Sequence, residues 1–479
     1  MNTNSRRNFL KSMTAAGAGL ATVNSISAGA ASSRPSGAQY MGNFIAPKLD
    51  KVRIAVIGCG ARGGTHYHHL SAIKNTEIVA LCDLYPDKAE RAKKKVLAND
   101  PVRHKNVKVY TGEEDKDAYK RMLKELKPDL VYVVTPWDLH APMAIDAMNA
   151  GAHVCVEVPL CVTVKEAWDL VNTSERTKKH CMMLENVNYG RDELLFLNMC
   201  REGVFGELLH GEAAYIHELR GQMHSKNGTG SWRTYEYANR NGNLYPTHGL
   251  GPVAQYMDLA RTGDNFGRIT SFSTPARGRA LYAKEKFPAD HKWNKLEFKG
   301  GDLSTSIIKT TQGKTLMIQW DETSPRPYTR HNLIQGTKGA GTGFPTRIAL
   351  DYKKGGLPEK VFEALSSKKG ANHTNYHGWT EGQKLAAVYE EWDHPLYKRM
   401  KADAKKMGGH GGMDFIMNFR VIECIREGQP LDQNLYEGVF WSAVGPLSEA
   451  SVAQDGASVA FPDFTRGNWK TTPPLPIVK

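Results

Sequence analysis

From residue 51 the chain alternates short apolar, β-branched runs with longer stretches of helical spacing. KVRIAVIG (51–58), EIVALCD (77–83), VKVY (107–110), DLVYVVTP (129–136), HVCVEVP (153–159) and CMMLENVNY (181–189) read as strands. Helices are predicted near 64–73, 115–126, 141–150 and 163–178. Strands that alternate with helices build a parallel sheet covered on both faces, and ligands bind such a sheet beyond the carboxyl ends of its strands. That places Thr135, Pro136, Trp137, His140, Glu157, Val158 and Asn186 around a cofactor.

After residue 190 the pattern changes. LLHGEAAYIHE (208–218), RITSFSTP (268–275), LSTSIIKTT (303–311) and KTLMIQW (314–320) alternate or are β-branched, and Gln312-Gly313 forms a tight turn between the last two. This predicts a mostly antiparallel sheet. Polar insertions at 219–243 and 352–400 are long enough to build a substrate rim, and helical spacing returns at 413–425 and 434–451. The fold class is therefore α/β: a doubly wound, Rossmann-type parallel sheet at 51–190, then an α+β domain with a mostly antiparallel open sheet at 191–479. Residues 31–50, small and turn-forming with no apolar period, read as a linker.

A chain of 479 residues exceeds one compact core, and 41% hydrophobic with 24% charged residues is ordinary for a soluble globular protein. The seven cysteines are odd in number and include no CxxC pair, which argues against a disulfide framework or a zinc finger and for small buried hydrophobes. The net charge of +13 is scattered and not clustered with aromatics, so it describes a solvated surface and no nucleic-acid groove.

The first thirty residues form a separate unit. Ser5-Arg6-Arg7-Asn8-Phe9-Leu10-Lys11 is a twin-arginine export pattern, followed by a weakly apolar run and an A-x-A cleavage site at Ala28-Gly29-Ala30. The run is broken by glycines, serines and an asparagine, too often for a spanning helix, and no cysteine precedes position 59 to take a lipid. The expectation is a protein exported already folded, periplasmic or extracellular, with no membrane insertion.

Gly58-Cys59-Gly60-Ala61-Arg62-Gly63 follows one strand and opens a helix, and the next strand ends in Asp83, twenty residues after Gly63. Gly58 turns the chain, Gly60 admits a pyrophosphate, Gly63 lets helix and strand pack, and the helix N-terminus, with Ala61 and Arg62, offers amides to phosphate. Asp83 would accept from ribose hydroxyls and repel a 2′-phosphate, so NAD is expected and not NADP. HYHH (66–69) lies on that helix without a partner at metal spacing and reads as helix surface; no metal is expected. His410-Gly411-Gly412-Met413-Asp414 reads as a helix entry, the alternative being that it reaches a substrate.

NGNLYPTHGLGP (241–252) sets Tyr245 and His248 three residues apart in a loop, with Pro252 suited to the first turn of the helix VAQYMDLA. The glycine fingerprint with Asp83, VTPWDLH, an acidic-x-Pro segment and the switch to an antiparallel domain resemble the glucose-fructose oxidoreductase, inositol dehydrogenase and rhizopine catabolism family over roughly 51–455. Plain sugar dehydrogenases of that family usually carry Glu-Lys-Pro where this chain has Glu157-Val158-Pro159, so the usual catalytic lysine is missing. The signal, TPWDLH, Glu-Val-Pro, Ser231-Trp232-Arg233 and Tyr245-Pro246-Thr247-His248-Gly249 are together similar to the NAD-dependent α-N-acetylgalactosaminidases of glycoside hydrolase family 109.

That resemblance implies a sugar site of Tyr215, Arg233, Tyr245, His248 and Tyr328, with Tyr245 and His248 catalytic, and a glycan partner ending in N-acetylgalactosamine. It further implies oxidation at sugar C3 with His248 taking the hydroxyl proton, loss of the C2 proton to Tyr245 or Tyr215, elimination of the aglycone, addition of water and re-reduction. NAD is regenerated each turnover, which suits an exported enzyme without a cofactor pool. An exported NAD(P)-dependent sugar oxidoreductase of the same fold is the alternative, disfavoured by the missing lysine; a scaffold without turnover is disfavoured by the paired Tyr and His. Homo-oligomer formation stays open.

Overall fold

The structure, a computed structural model, describes residues 33–112 and 115–478; the export signal expected at 1–30 lies outside them. The first sheet comprises β1 (Val52–Ile57), β2 (Thr76–Asp83), β3 (Lys108–Thr111), β4 (Leu130–Val133), β5 (His153–Val156) and β6 (Cys181–Met183). They are connected through α1 (Ala61–Ala72), α2 (Pro86–Asn99), α3 (Ala118–Leu126), α4 (Trp137–Asn149) and α5 (Val164–Thr177). The order is β3-β2-β1-β4-β5-β6 with every pairing parallel. The order reverses between β1 and β4, where a doubly wound sheet opens its ligand crevice. All four residues of β4 and of β5 are buried, as central strands covered on both faces require.

Two helices begin earlier than their apolar spacing predicts. α1 starts at Ala61 and not at 64, and α4 at Trp137 and not at 141. Their first turns, Ala61-Arg62-Gly63-Gly64 and Trp137-Asp138-Leu139-His140, mix glycine and polar residues with apolar ones, so apolar spacing alone does not mark them.

The second sheet comprises β7 (Leu208–Ile216), β8 (Phe266–Ser273), β9 (Ser304–Thr310), β10 (Thr315–Asp321), β11 (Leu333–Gly336), β12 (Gly339–Thr342), β13 (Arg347–Leu350), β14 (Thr380–Glu381) and β15 (Val459–Ala460). Among the described residues its order is β14-β13-β12-β11-β7-β10-β9-β8-β15, antiparallel except for the β7/β10 pair. Around it lie α6 (Arg191–Arg201), α7 (Thr229–Asn239), α8 (Thr247–Tyr256), α9 (Gly278–Lys286), α10 (Glu359–Leu365), α11 (Ala386–Trp392), α12 (Pro395–Met407), α13 (Met413–Glu427) and α14 (Leu435–Val452).

The two halves are interlocked. α14 packs on β8, while α13 returns to pack on α1, so Ile416, Met417 and Val421 share one apolar cluster with Val52, Tyr67 and Leu70. Residues 33–50 carry no regular element, yet they strap the halves together and are no free tether. Met41 and Ala46 are buried, Gln39 N–H donates to Glu175 O at 2.9 Å, and the Tyr40 ring stacks on Tyr436 at 4.8 Å. All seven cysteines are unbridged. No helix among the described residues is long and apolar enough to cross a membrane.

Candidate active site

The glycine turn has the shape a dinucleotide needs. Gly58 has φ 97°, and a Cβ there would lie 2.2 Å from Val134 O; one on Gly63 would lie 2.0 Å from Gly58 O. A Cβ on Gly60 would meet nothing within 4 Å, so the loop opens there onto free space. α1 begins with no side-chain cap and no acidic residue in its first turn, leaving its leading amides to an anion. Asp83 braces the turn: Oδ2 accepts from Cys59 N–H at 2.7 Å and Oδ1 from Tyr85 N–H at 2.9 Å. A carboxylate keeps further lone pairs for ribose hydroxyls. Open cradle, uncapped helix and acidic strand end fit NAD.

Several side chains expected to touch the cofactor are committed elsewhere. His140 is buried, with Nδ1 2.7 Å from Pro159 O and Nε2 2.8 Å from Thr135 O; it clamps the loops after β4 and β5 and has no nitrogen left for a ligand. Glu157 Oε1 accepts from Arg62 Nε at 2.9 Å, Arg62 Nη2 at 2.7 Å and His66 Nε2 at 2.8 Å. Asp414 Oδ2 accepts from Arg62 Nη1 at 3.1 Å and pairs with His410 Nδ1 at 2.8 Å, while Oδ1 accepts from Asn186 Nδ2 at 2.6 Å. Burial alone would raise both carboxyl pKa values, but Arg62 with His66 holds Glu157 well below the usual range, and His410 with Arg62 does the same for Asp414. The side chains of Arg62, Glu157, Asn186 and Asp414 thus form one polar network that ties α1 and the ends of β5 and β6 to α13.

The surface reading of HYHH is corrected on the same ground. His66 and His69 are buried; His66 Nδ1 lies 3.2 Å from Asn418 Oδ1. The covering residues come from α13, about 350 positions away, so helical spacing within α1 could not reveal them.

The sugar-side residues converge. Tyr245 and His248 are held by the N-terminus of α8, which begins at Thr247; Pro252 therefore lies inside the helix and not in its first turn. His248 Nδ1 is 2.7 Å from Oε1 of Glu185, which is fully buried. A carboxylate only accepts, so this contact selects the tautomer with its proton on Nδ1, in which Nε2 carries the lone pair of a base. The Tyr245 ring lies 5.0 Å from His248 and 5.0 Å from Tyr215, and stacks on Trp137 at 5.6 Å. Arg233 sits 4.7 Å over Tyr245 and 4.9 Å over Trp137. Tyr328 closes the cluster, 6.1 Å from Tyr215. Trp137, expected beside the cofactor, is buried as the wall behind Tyr245.

Three residues of this site were absent from the sequence reading. Glu185 is an acidic residue at the end of an apolar strand run, beside the chosen Asn186, and that position was its signal. His217 lies two residues from Tyr215, and its Nδ1 is 3.0 Å from the Tyr215 hydroxyl. Burial pulls the His217 pKa down, keeping the ring neutral and able to accept. Burial also raises the phenol pKa of Tyr215 and Tyr245, so both stay protonated. Glu322, fully buried, accepts from the Tyr237 hydroxyl, with Arg279 and Arg233 at 3.7 and 3.8 Å.

Known proteins match the two halves separately. Residues 52–185 match the oxidoreductase family with an NAD-binding Rossmann fold, which makes the first half an NAD-binding domain. Residues 189–471 match the glycosyl hydrolase 109 C-terminal domain. The chain belongs to glycosyl hydrolase family 109. It is 59% identical to glycosyl hydrolase family 109 protein 1 of Akkermansia muciniphila over 452 residues, 93% of this chain and 88% of that protein. It is 50% identical to an α-N-acetylgalactosaminidase of Shewanella oneidensis over 480 residues, 99% and 98% of the two chains. Levoglucosan dehydrogenase, solved with NADH and L-sorbose, shares the fold: TM-score 0.63 at 16% identity, covering 87% of this chain and all of that one.

Proposed function

We propose that this enzyme removes terminal α-linked N-acetylgalactosamine from glycans by transient oxidation of the sugar. The observation that carries the reading is the oriented base: His248 with Nδ1 held by Glu185 and Nε2 free, facing two protonated tyrosines. The carboxylates that touch this cluster, Glu185 and Glu322, are buried and committed to His248 and Tyr237, so they do not offer the flanking acid pair of ordinary glycosidases.

Bound NAD supplies reversible two-electron oxidation of a sugar carbon. His248 Nε2 takes the C3 hydroxyl proton as that carbon is oxidised and returns it on re-reduction. Arg233 and Tyr245 present donors to the sugar's oxygens and exclude water from the aromatic wall. Tyr215, backed by His217 Nδ1, is the group placed to exchange the acidified C2 proton: its proton can pass to His217 as it takes one from carbon. Loss of that proton expels the aglycone from C1, and water then adds.

Turnover in heavy water tests the cycle. Deuterium should enter C2 of the released sugar and not C3. Release without label at C2, together with no isotope effect on substrate deuterated at C2 or C3, would overturn it.

We further propose that the enzyme works outside the cytoplasm, exported on the Arg6-Arg7 signal with NAD aboard. Replacing both arginines with lysine should retain the enzyme in the cytoplasm on fractionation.

A further inference from the structure

A buried carboxylate stands behind the sugar site. Glu322 follows β10 directly and is fully buried. It lies between two guanidiniums, Arg279 at 3.7 Å from Oε2 and Arg233 at 3.8 Å from Oε1. Its Oε2 also accepts from the hydroxyl of Tyr237, which sits one helical turn after Arg233 on α7. Arg279, at the start of α9, covers the Tyr237 ring at 3.8 Å and donates to the Glu322 carbonyl at 3.4 Å. One carboxylate therefore joins α7, α9 and the end of β10.

Arg233 carries this assembly to the sugar. Its side chain is 12% exposed, and its guanidinium lies 4.9, 5.4 and 4.7 Å over Trp137, Trp232 and Tyr245. Ring faces hold a planar cation by stacking but leave its rotation within the plane free. A carboxylate to one side removes that freedom, because it attracts the donor edge of the fork. At 3.8 Å the pair is longer than a hydrogen bond, and neither Glu322 Oε1 nor Arg233 Nε has a hydrogen-bond partner among the described residues. Buried polar atoms left in that state are costly until a ligand or its water completes them. The Glu322 charge is felt on the opposite wall as well, where it adds to the rise that burial imposes on the Tyr215 phenol pKa.

We propose that Glu322 is a positioning residue for sugar binding: it acts through Arg233, setting the heading of the guanidinium that donates to the sugar's oxygens. This rests on the glycosidase reading above. Arg279 and Tyr237 hold the carboxylate itself in place.

The test is a double-mutant cycle on the NAD-loaded full chain. It reads KM and kcat on p-nitrophenyl α-N-acetylgalactosaminide, and Kd for N-acetylgalactosamine from the quench of tryptophan fluorescence, since Trp137 and Trp232 line the guanidinium. Glu322→Gln keeps the side-chain shape and should raise KM and Kd about tenfold, with kcat changed less than about threefold. Arg233→Lys should raise both at least as much. The double variant should be no worse than Arg233→Lys alone, whereas independent roles would multiply to about a hundredfold. Glu322→Gln also strips two buried guanidiniums of a shared counter-charge, so Glu322→Gln/Arg279→Gln removes one of them with it. That variant should regain the wild-type Tm and keep the raised KM and Kd. Unchanged KM and Kd in Glu322→Gln, multiplied losses in the cycle, or wild-type KM and Kd once Arg279→Gln is added would overturn the proposal, because Glu322 would then serve the fold alone. A wild type that binds N-acetylgalactosamine without cleaving the glycoside would overturn the glycosidase reading, and the Kd cycle would still decide the role of Glu322. A wild type that neither binds nor cleaves would overturn both.

Discussion

Glu185 Oε1 stands 2.7 Å from His248 Nδ1, joining the end of the parallel sheet to the first turn of α8. This contact determines which imidazole nitrogen is the base. Glu185→Gln should lower kcat by roughly 10²–10⁴-fold, the scale seen when a carboxylate no longer orients a histidine base. His248→Ala should cost as much or more. Both variants should release a full complement of NAD on denaturation, because neither residue touches the glycine turn; NAD lost in either would place the pair in the cofactor site instead.

Asp83 accepts one main-chain amide of the glycine turn, from Cys59, and one of its own loop, from Tyr85, in addition to any ribose hydroxyl. Asp83→Ala should therefore weaken NAD retention by more than one lost hydrogen bond, at least about tenfold in Kd. Asp83→Asn, which keeps an acceptor oxygen, should fall between. NAD released per protein, followed by absorbance through successive gel filtrations, gives the ranking, and an alanine variant that holds NAD like the wild type would refute it.

Arg233 lies over three aromatic rings, Trp137, Trp232 and Tyr245, with its Nε buried and unpartnered among the described residues. A lysine keeps the charge and loses the planar stack and the fork of donors. Arg233→Lys should lower kcat/KM for the sugar by about tenfold or more without changing bound NAD. Steady-state kinetics beside NAD content separates this from a folding defect.

Buried histidines make stability depend on pH. Burial lowers the pKa of His69, His153 and His394 to about 4 and that of His180 to about 3. Their ordinary value is about 6.5, so between those limits the unfolded chain binds more protons than the folded one, and stability rises with pH. Tm should be level above about pH 7 and fall steadily from about 6.5 down to 4. Below about 4, Glu157 and Asp414 add loss of the same sign, since ion pairing depresses both. A Tm unchanged between pH 7 and 5 would show that these rings are not neutral in the fold.

Much of this was legible in the chain. The six parallel strands announced themselves because a strand covered on both faces must be apolar along its length, and Gly58, Gly60, Gly63 and Asp83 stood at the spacings of a phosphate-binding turn. Elements facing the crevice were harder. The first turns of α1, α4 and α8 are rich in glycine and polar residues and carry little apolar period, so all three helices were placed several residues late.

By its own order of residues the chain specifies the parallel sheet, strands β7 to β10 of the second sheet, the cofactor turn and the residue types that meet the sugar, because strand and helix periodicity and the geometry of glycine act over a few residues; the short strands β11 to β15 carry too little pattern to be read. Partnership between distant residues is another matter. Arg62 acquires its Asp414 partner only when α13 packs on α1, and His66 looks exposed until Asn418 covers it. Glu185 acquires its role only when α8 carries His248 to it, 63 positions along the chain. The carboxylate that orients the base and the buried polar network beside the glycine turn both arise from one half of the molecule closing on the other, and no local pattern encodes which distant side chains then meet.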